Sequence, residues 1–432
     1  MPAPRLRYAN RLNGPRGTGN LRNGVRYRDP MRQIPGSWLH AAVGAGLADA
    51  DGTIRPTIFA EMSALAVRTG AINLGQGFPD EDGPAVVLDA ARRAIADGAN
   101  QYPPGRGIPD LRSAIAEHQQ RFYGLTLDPE REVLVTAGAT EALAATLLAL
   151  IDDPGDEVVV FEPYYDAYAA IVALAGARLV TVPVAWPDFQ PDLERLAAAV
   201  GARTRAIIVN DPHNPTGAVF APEVRTAIVQ LAERHDAFII TDEVYEHLAF
   251  EAPHVPLATL PGARERTISI SSGGKTFSTT GWKIGWATGP ADLIDAVLAV
   301  KQYLTYVSGS PFQPAIAAGL RLPDAFFAGV RDALRARRDL LGAGLRAAGM
   351  TVSTPAGSYF TVADVAPLGA VDAAAFCRAL PERAGVVAIP LTAFTTPEHR
   401  ADYATLVRFA ACKRLEVLED AAARLERLRP TG

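Results

Sequence analysis

The sequence predicts an α/β fold: a doubly wound, mainly parallel sheet with helices on both faces, followed by a smaller α+β unit. Three observations predict it. Short, near-continuously apolar runs with β-branched residues recur along the chain, as strands buried on both faces of a parallel sheet require. Long helical patterns separate several of these runs, which is the alternation of a βα repeat. The alternation then breaks near Asp324, where a long Arg/Ala/Leu helix opens a different pattern of short strands.

Taken in order, residues 72–74 read as a short apolar strand running into Gly75-Gln76-Gly77-Phe78-Pro79. Residues 85–97 have helical periodicity, and 108–122 read as a second helix after a Pro-Pro-Gly turn. Further strands are expected at 132–136, 157–161, 179–184, 206–209, 238–241 and 267–270, with helices starting at Thr140 and Ala167. Beyond 323 the pattern gives a helix over 327–348, strands near 350–353 and 359–363, and a helix near 372–379. Strands at 386–389 and 406–412 and a terminal helix from Leu415 complete it. The implied division is an Arg-rich, disordered N-terminal extension (1–54), a segment packing with the small domain (55–84), a large domain (85–323) and a small domain (324–432).

Composition narrows the function classes. The chain has 432 residues, 49% hydrophobic and 21% charged, an ordinary globular balance. A net charge of −5 argues against nucleic-acid binding by the molecule as a whole. The two cysteines, Cys377 and Cys412, sit in no CxxC or Cys/His cluster, and no HxxxH or HExxH spacing occurs. Neither a disulfide framework nor a metal site is expected, and a cytoplasmic location fits. The apolar run at residues 142–151 is too short to span a membrane. The first 32 residues hold eight arginines against one acid, Asp29, without the apolar core of a secretory signal.

The chemistry gathers at strand ends, where open α/β sheets bind ligands. After strand 267–270, Ser272-Gly273-Gly274-Lys275-Thr276 places a lysine in a Gly/Ser-rich loop, and Lys283 follows eight residues later. A lysine there can form a Schiff base, and the loop offers hydroxyl and N–H groups for a phosphate. Pyridoxal 5′-phosphate needs both. Gly-Lys-Thr also ends a Walker A pattern, but Ser269 stands where its first glycine is required.

The other strand ends supply complementary groups. Strand 132–136 ends in Ala137-Gly138-Ala139-Thr140 before a helix, where free N–H groups suit a phosphate and Thr140 can cap. Strand 157–161 leads to Tyr165, an aromatic that can stack on a flat ring. Asn214, held in a Pro/Gly turn, is a side-chain donor. Asp242 ends an apolar strand, where an acid is costly unless paired; a protonated pyridine nitrogen would pair with it. Tyr245 could donate to a ring hydroxyl. Arg408, inside an apolar strand, wants a carboxylate to grip. Singly, each has an ordinary structural reading: a glycine turn, core packing, a buried ion pair. Only the set is specific.

The set resembles the class I/II aminotransferases of the pyridoxal-phosphate fold type I superfamily, over roughly residues 55–430. The motifs that carry the resemblance are Asn73-Leu74-Gly75-Gln76-Gly77-Phe78-Pro79, Asn214-Pro215-Thr216-Gly217, Asp242-Glu243-Val244-Tyr245, and Ser272 to Phe277 with Gly281-Trp282-Lys283. The resemblance implies a seven-stranded large sheet and Lys275 as the Schiff-base lysine. It implies Asp242 on the pyridine nitrogen, Asn214 and Tyr245 on the ring oxygen, and Tyr165 on the ring face. Gly138, Ala139, Thr140, Ser272 and Lys283 would hold the phosphate, joined by Tyr102 from the other subunit of a homodimer. Arg408, with Gly77 and Asn214, would bind the substrate α-carboxylate. An amino acid and a 2-oxo acid, 2-oxoglutarate foremost, are the implied substrates.

Within the family the chain is most similar to the actinobacterial N-succinyldiaminopimelate aminotransferases of lysine synthesis. Gln101-Tyr102-Pro103-Pro104-Gly105 and Lys301-Gln302-Tyr303-Leu304 carry that likeness, and Val307-Ser308-Gly309-Ser310 suggests a roomy pocket. The Gly273-Gly274-Lys275-Thr276 loop is nearer the kynurenine, glutamine and methionine aminotransferases, whose branch includes cysteine-conjugate β-lyases. A broad-specificity enzyme of that branch is the alternative, and a non-catalytic cofactor-binding regulator is the competing class.

Overall fold

The computed structural model describes residues 36–48 and 53–429. Most of the Arg-rich stretch lies outside them. Its large sheet has eight strands, in the order Val133–Thr136, Gly285–Thr288, Thr267–Ser272, Phe238–Asp242, Thr204–Asn210, Glu157–Glu162, Arg178–Ala185 and Gln190–Pro191. The five strands from Thr267–Ser272 to Arg178–Ala185 pair in parallel. Beyond the six strands read individually in the sequence, a seventh completes the expected number and a short edge adds an eighth. Gly285–Thr288 is a strand, antiparallel to both its neighbours. Gln190–Pro191 adds a two-residue antiparallel edge. Conversely, Ile72–Asn73 lies outside this sheet and pairs in parallel with Val386–Val387.

Strand alternation splits the core into two layers. Val159, Ile207, Val209 and Ile239 point to one face, where Val224 and Ile228 of helix Pro222–Arg234 cover them. Val158, Val160, Ile208 and Ile240 point to the other, under Leu143 and Leu147 of helix Ala139–Leu150 and Val297 of helix Ala291–Lys301. Each such side chain contributes about 1.5–3 kcal/mol on full burial. The sheet is therefore clamped from both sides, and its carboxyl-end loops are carried on a rigid base. Register aligns Asn210 with Asp242 and Asp242 with Ile270, so successive strand ends open at one level.

A four-stranded antiparallel sheet follows in space, ordered Thr351–Val352, Phe360–Asp364, Leu406–Ala410, Ile389–Pro390. Helix Asp324–Ala347 buries Phe327, Leu334, Leu341 and Leu345 along one stripe. Helix Ala373–Ala384 runs beyond its expected end, straight through Pro381. An interior proline costs about 3 kcal/mol; burial of Leu380, Pro381 and Ala384 offsets it. Part of the segment expected to be disordered is helical, over Trp38–Gly44. It sits close against helix Ala167–Ala175: a Cβ on Gly44 would lie 2.6 Å from Ala173 Cβ. Among the described residues no helix is long and apolar enough to cross a membrane.

Gly285 pairs with both Thr136 and Ser272, and a Cβ there would lie 2.5 Å from the Gly138 carbonyl carbon and 2.7 Å from Ala139 N. These are backbone atoms that cannot swing aside. Gly285→Ala is expected to lower stability by about 1–3 kcal/mol, read as a lower urea midpoint with an unchanged slope.

Candidate active site

A cavity opens at the carboxyl ends of the large sheet. Gly138, Ala139, Thr140, Tyr165 and Asn214 line it, as do Asp242, Tyr245, Ser272, Lys275 and Lys283. The site is asymmetric, with a cationic, N–H-rich end and an end built on a buried carboxylate.

At the first end, helix Ala139–Leu150 starts one residue earlier than expected. Its N-cap is Gly138, at φ +78°, and not Thr140, which lies inside the first turn. The positive φ suits glycine, and Thr140 contributes a free helix-start N–H in place of a capping hydroxyl. Lys283 Nζ lies 3.1 Å from where a Gly138 Cβ would stand. Lys283 itself adopts a left-handed backbone, φ +55°, uncommon for a residue with a side chain. Helix-start amides, the Ser272 hydroxyl and the Lys283 ammonium thus gather donors and positive charge at one end of the cavity.

At the other end, Asp242 is buried. Tyr168 Oη donates to its Oδ2 at 2.6 Å, while Oδ1 has no partner among the described residues. Burial pushes the carboxyl pKa up to about 6, against the opposing pull of Tyr168, the Val244 amide and Lys275. Asn210 Nδ2 donates to the Asp242 carbonyl at 2.7 Å, and Asn210 Oδ1 accepts the Asn214 amide at 2.6 Å. One asparagine thus ties two strand ends together. Tyr168 and Asn210 were not singled out in the sequence. The available signals were faint: Tyr168 follows Tyr165 by three residues, and Asn210 closes its strand.

Lys275 sits on a helical turn, Gly273–Thr276, where a loop was expected. A Cβ on Gly273 would lie 2.7 Å from Ile316 Cδ1, so the glycine lets this turn pack tightly on helix Gln313–Leu320. Lys275 Nζ donates to the Gly77 carbonyl at 3.3 Å, which also accepts the Tyr359 hydroxyl. Burial holds the Lys275 amine below its usual pKa, and the Arg408 and Lys283 charges add to this. Tyr245 is buried edge-on to Tyr359, 5.3 Å between centroids. Burial and the Asp242 charge raise its phenol pKa.

Arg408 is 1% exposed. Nη1 donates to Asn214 Oδ1 at 3.0 Å and Nη2 to the Gly75 carbonyl at 2.7 Å. The guanidinium lies 4.1 Å from the Phe360 ring centroid and 4.7 Å from that of Phe394. Burial lowers its pKa to about 10, and it stays charged. Both acceptors are neutral and Nε has no partner.

Tyr102 is not part of its own chain's cavity. It is 83% exposed and rests edge-on against Tyr306. Residues 307–310 do not line the cavity either; Ser310 Oγ donates to the Gln101 carbonyl at 2.8 Å. One grouping runs against the expectation of no metal-ligating cluster: His118, Glu246 and His247 converge, with the two Nε2 atoms 2.7 Å apart. Burial depresses both imidazoles, so one hydrogen bond between neutral rings accounts for the contact. Ser271 Oγ engages Glu246 at 2.6 Å.

Residues 69–425 match the family described as aminotransferase class I and II. A probable N-succinyldiaminopimelate aminotransferase of Mycobacterium tuberculosis is 55% identical over 379 residues, 85% of this chain and 95% of the relative. The methionine aminotransferase of Escherichia coli is 40% identical over 375 residues, 86% of this chain and 96% of the relative. The solved structure of N-succinyldiaminopimelate aminotransferase from Mycobacterium tuberculosis superposes with a TM-score of 0.84 at 55% identity, covering 86% of this chain and 97% of the other.

Burial raises Asp211 and Asp242 to about 6 and Glu246 to about 7. Unfolded carboxyls titrate near pH 4. Between these values each carboxyl holds more proton in the folded state, so its own contribution to stability falls as pH rises. Buried His118, His213 and His247, held below their usual range, work in the opposite sense over the same interval, so a single carboxyl is read as a difference between variant and parent. In urea titrations from about pH 4 to about pH 7, the stability of Asp242→Asn relative to the parent should rise by on the order of 2 kcal/mol.

Proposed function

The chain belongs to the class I and II aminotransferases, a family that uses pyridoxal phosphate, and on that premise we propose that it moves an amino group from N-succinyl-LL-2,6-diaminopimelate to 2-oxoglutarate by a ping-pong mechanism, in lysine biosynthesis. The observation that carries the donor assignment is the 55% identity to the mycobacterial relative over 85% of this chain.

The residues fit pyridoxal phosphate. Asp242 Oδ1 is a buried, unpartnered acceptor on a cavity wall, suited to a pyridinium N–H. The opposite end offers Gly138, Ala139, Thr140, Ser272 and Lys283 for the phosphate. Tyr165 would face the ring. Asn214 would reach the ring oxygen through Nδ2, since its Oδ1 is taken by Arg408, with Tyr245 as second donor. Lys275 would be the covalent anchor.

Bound there, the cofactor would supply an aldehyde for amines and a ring that accepts electrons. The chain's own residues would do the rest. Arg408, beside Asn214 and Gly77, would hold the substrate α-carboxylate bidentately and so fix the direction of the Cα–H bond. Lys275 Nζ would take that proton; its lowered pKa keeps more of the amine neutral, as a general base needs. Asp242 would retain the ring-nitrogen proton. We assign the working form as a homodimer in which Tyr102 completes the phosphate site of the partner. Exposed Tyr102, Tyr303, Leu304 and Tyr306 support this as a buried surface.

Lys275→Ala is expected to lower amino transfer about 10³-fold or more and to abolish the visible absorbance of protein-linked cofactor; retained turnover overturns the assignment. Arg408→Lys should keep the absorbance but cut kcat/KM about 10- to 100-fold. A donor panel with 2-oxoglutarate should rank N-succinyl-diaminopimelate above kynurenine, methionine and glutamine. Preference for any of the latter three removes the donor assignment and leaves the reaction class. Co-expressing Lys275→Ala and Tyr102→Ala chains should give hybrid dimers more active than either homodimer, because one site of each hybrid has both residues; hybrids no more active than the homodimers argue against shared sites.

A further inference from the structure

We propose that Tyr168 is a positioning residue for this reaction, holding the Asp242 carboxylate and the Tyr165 ring in fixed orientation. The inference rests on the cofactor reading above. Tyr168 is 3% exposed on the first turn of helix Ala167–Ala175. Its hydroxyl reaches Asp242 Oδ2 at 2.6 Å. Its ring meets Tyr165 edge-on, 5.7 Å between centroids and 87° between planes. One side chain therefore touches both the acid and the aromatic that face the cavity.

The contact with Asp242 is selective. Only Oδ2 is engaged, and Oδ1 has no partner. A carboxylate rotates easily about its last bond; a buried donor on one oxygen fixes its plane and leaves the other oxygen free for a ligand. The bond also favours the ionised acid. This matters because burial works the other way, and Glu243 adds to burial. The remaining groups that favour the charge are the Val244 amide and Lys275. Tyr168 itself stays protonated, since burial and Asp242 hold its phenol far above its ordinary range, so it donates at any working pH.

Tyr168→Phe deletes one oxygen and keeps the ring contact. Without the donor, Asp242 is a stronger base, so a proton shared between it and the ring nitrogen would lie nearer the acid. A bound ring would then be richer in electrons, and the visible absorbance would titrate at higher pH. In the purified holoenzyme, the pKa of the visible absorbance should rise by about half a unit or more, and the cofactor should dissociate about ten-fold more readily. The kcat should fall about ten-fold while KM for the amino donor stays within about two-fold, because Tyr168 touches Asp242 and Tyr165, and neither of these belongs to the substrate carboxylate grip. An absorbance titration and kcat equal to the parent's overturn the proposal. So does a loss of kcat that tracks only a lowered urea midpoint. If the Phe variant does not fold, 3-fluorotyrosine placed at position 168 alone keeps the ring and makes the hydroxyl a stronger donor; the visible absorbance should then titrate lower than the parent's, and an unchanged titration overturns the proposal. Lys275→Ala separates the two readings: if it keeps the absorbance, the cofactor assignment fails; if it loses it while Tyr168→Phe changes nothing, only the present inference fails.

Discussion

The guanidinium of Arg408 is buried with no acid among its hydrogen-bond partners in the described residues, and much of the site's geometry is arranged around that constraint. Removing such a charge from water costs several kcal/mol. The compensation is drawn from three parts of the chain. The Gly75 carbonyl comes from the N-terminal segment, Asn214 Oδ1 from a large-sheet strand end, and the Phe360 and Phe394 faces from the region of the small sheet. Meeting these contacts together requires the three parts to meet at one point. The Ala410 amide reinforces this by donating to the Leu74 carbonyl at 2.7 Å, one residue from Gly75.

Asp242 poses the mirror problem. It too is buried, and it is satisfied on one oxygen only. A charge left half-partnered in a packed interior is a local liability, and the two occur at the same cavity with opposite sign. Each is held by neutral groups that orient it without cancelling it: an amide oxygen and a carbonyl for Arg408, a phenol for Asp242. Neutral partners preserve the electrostatic pull on a ligand that a salt bridge would quench. This is what distinguishes the site from the surface ion pairs elsewhere, such as Arg337 with Glu81, whose charges are already spent on each other.

The sheet and the motif residues were legible because their signals are local. Apolar β-branched runs place Phe238–Asp242 and Thr204–Asn210 to within about two residues, and the residues at their ends follow directly. What was not legible depends on direction or distance in space. Gly285–Thr288 is four residues long and runs antiparallel, and no composition encodes strand direction. Tyr168 lies 74 positions from Asp242 in the chain. His118 and His247 are 129 apart, beyond any spacing rule. Helix Ala373–Ala384 runs past the expected 379 and through Pro381, because propensity speaks for a residue alone, whereas burial of its neighbours is a property of the fold.

The two lysines show how position separates roles that chemistry alone leaves equal. Lys275 and Lys283 are eight residues apart and line one cavity. Lys275 rides a helical turn packed on Ile316, and its amine faces a carbonyl in a buried pocket that weakens its hold on a proton. Lys283 sits in a left-handed kink that sets its amine beside Gly138, at the start of a helix. An anion at that helix start would be met by a fixed positive charge, and a charge serving there has no need to give up its proton. An amine meant to take a proton needs the opposite environment, and Lys275 has it. Exchanging the two lysines' surroundings would thus undo both functions in the proposed reaction, although the lysine content of the loop would be unchanged.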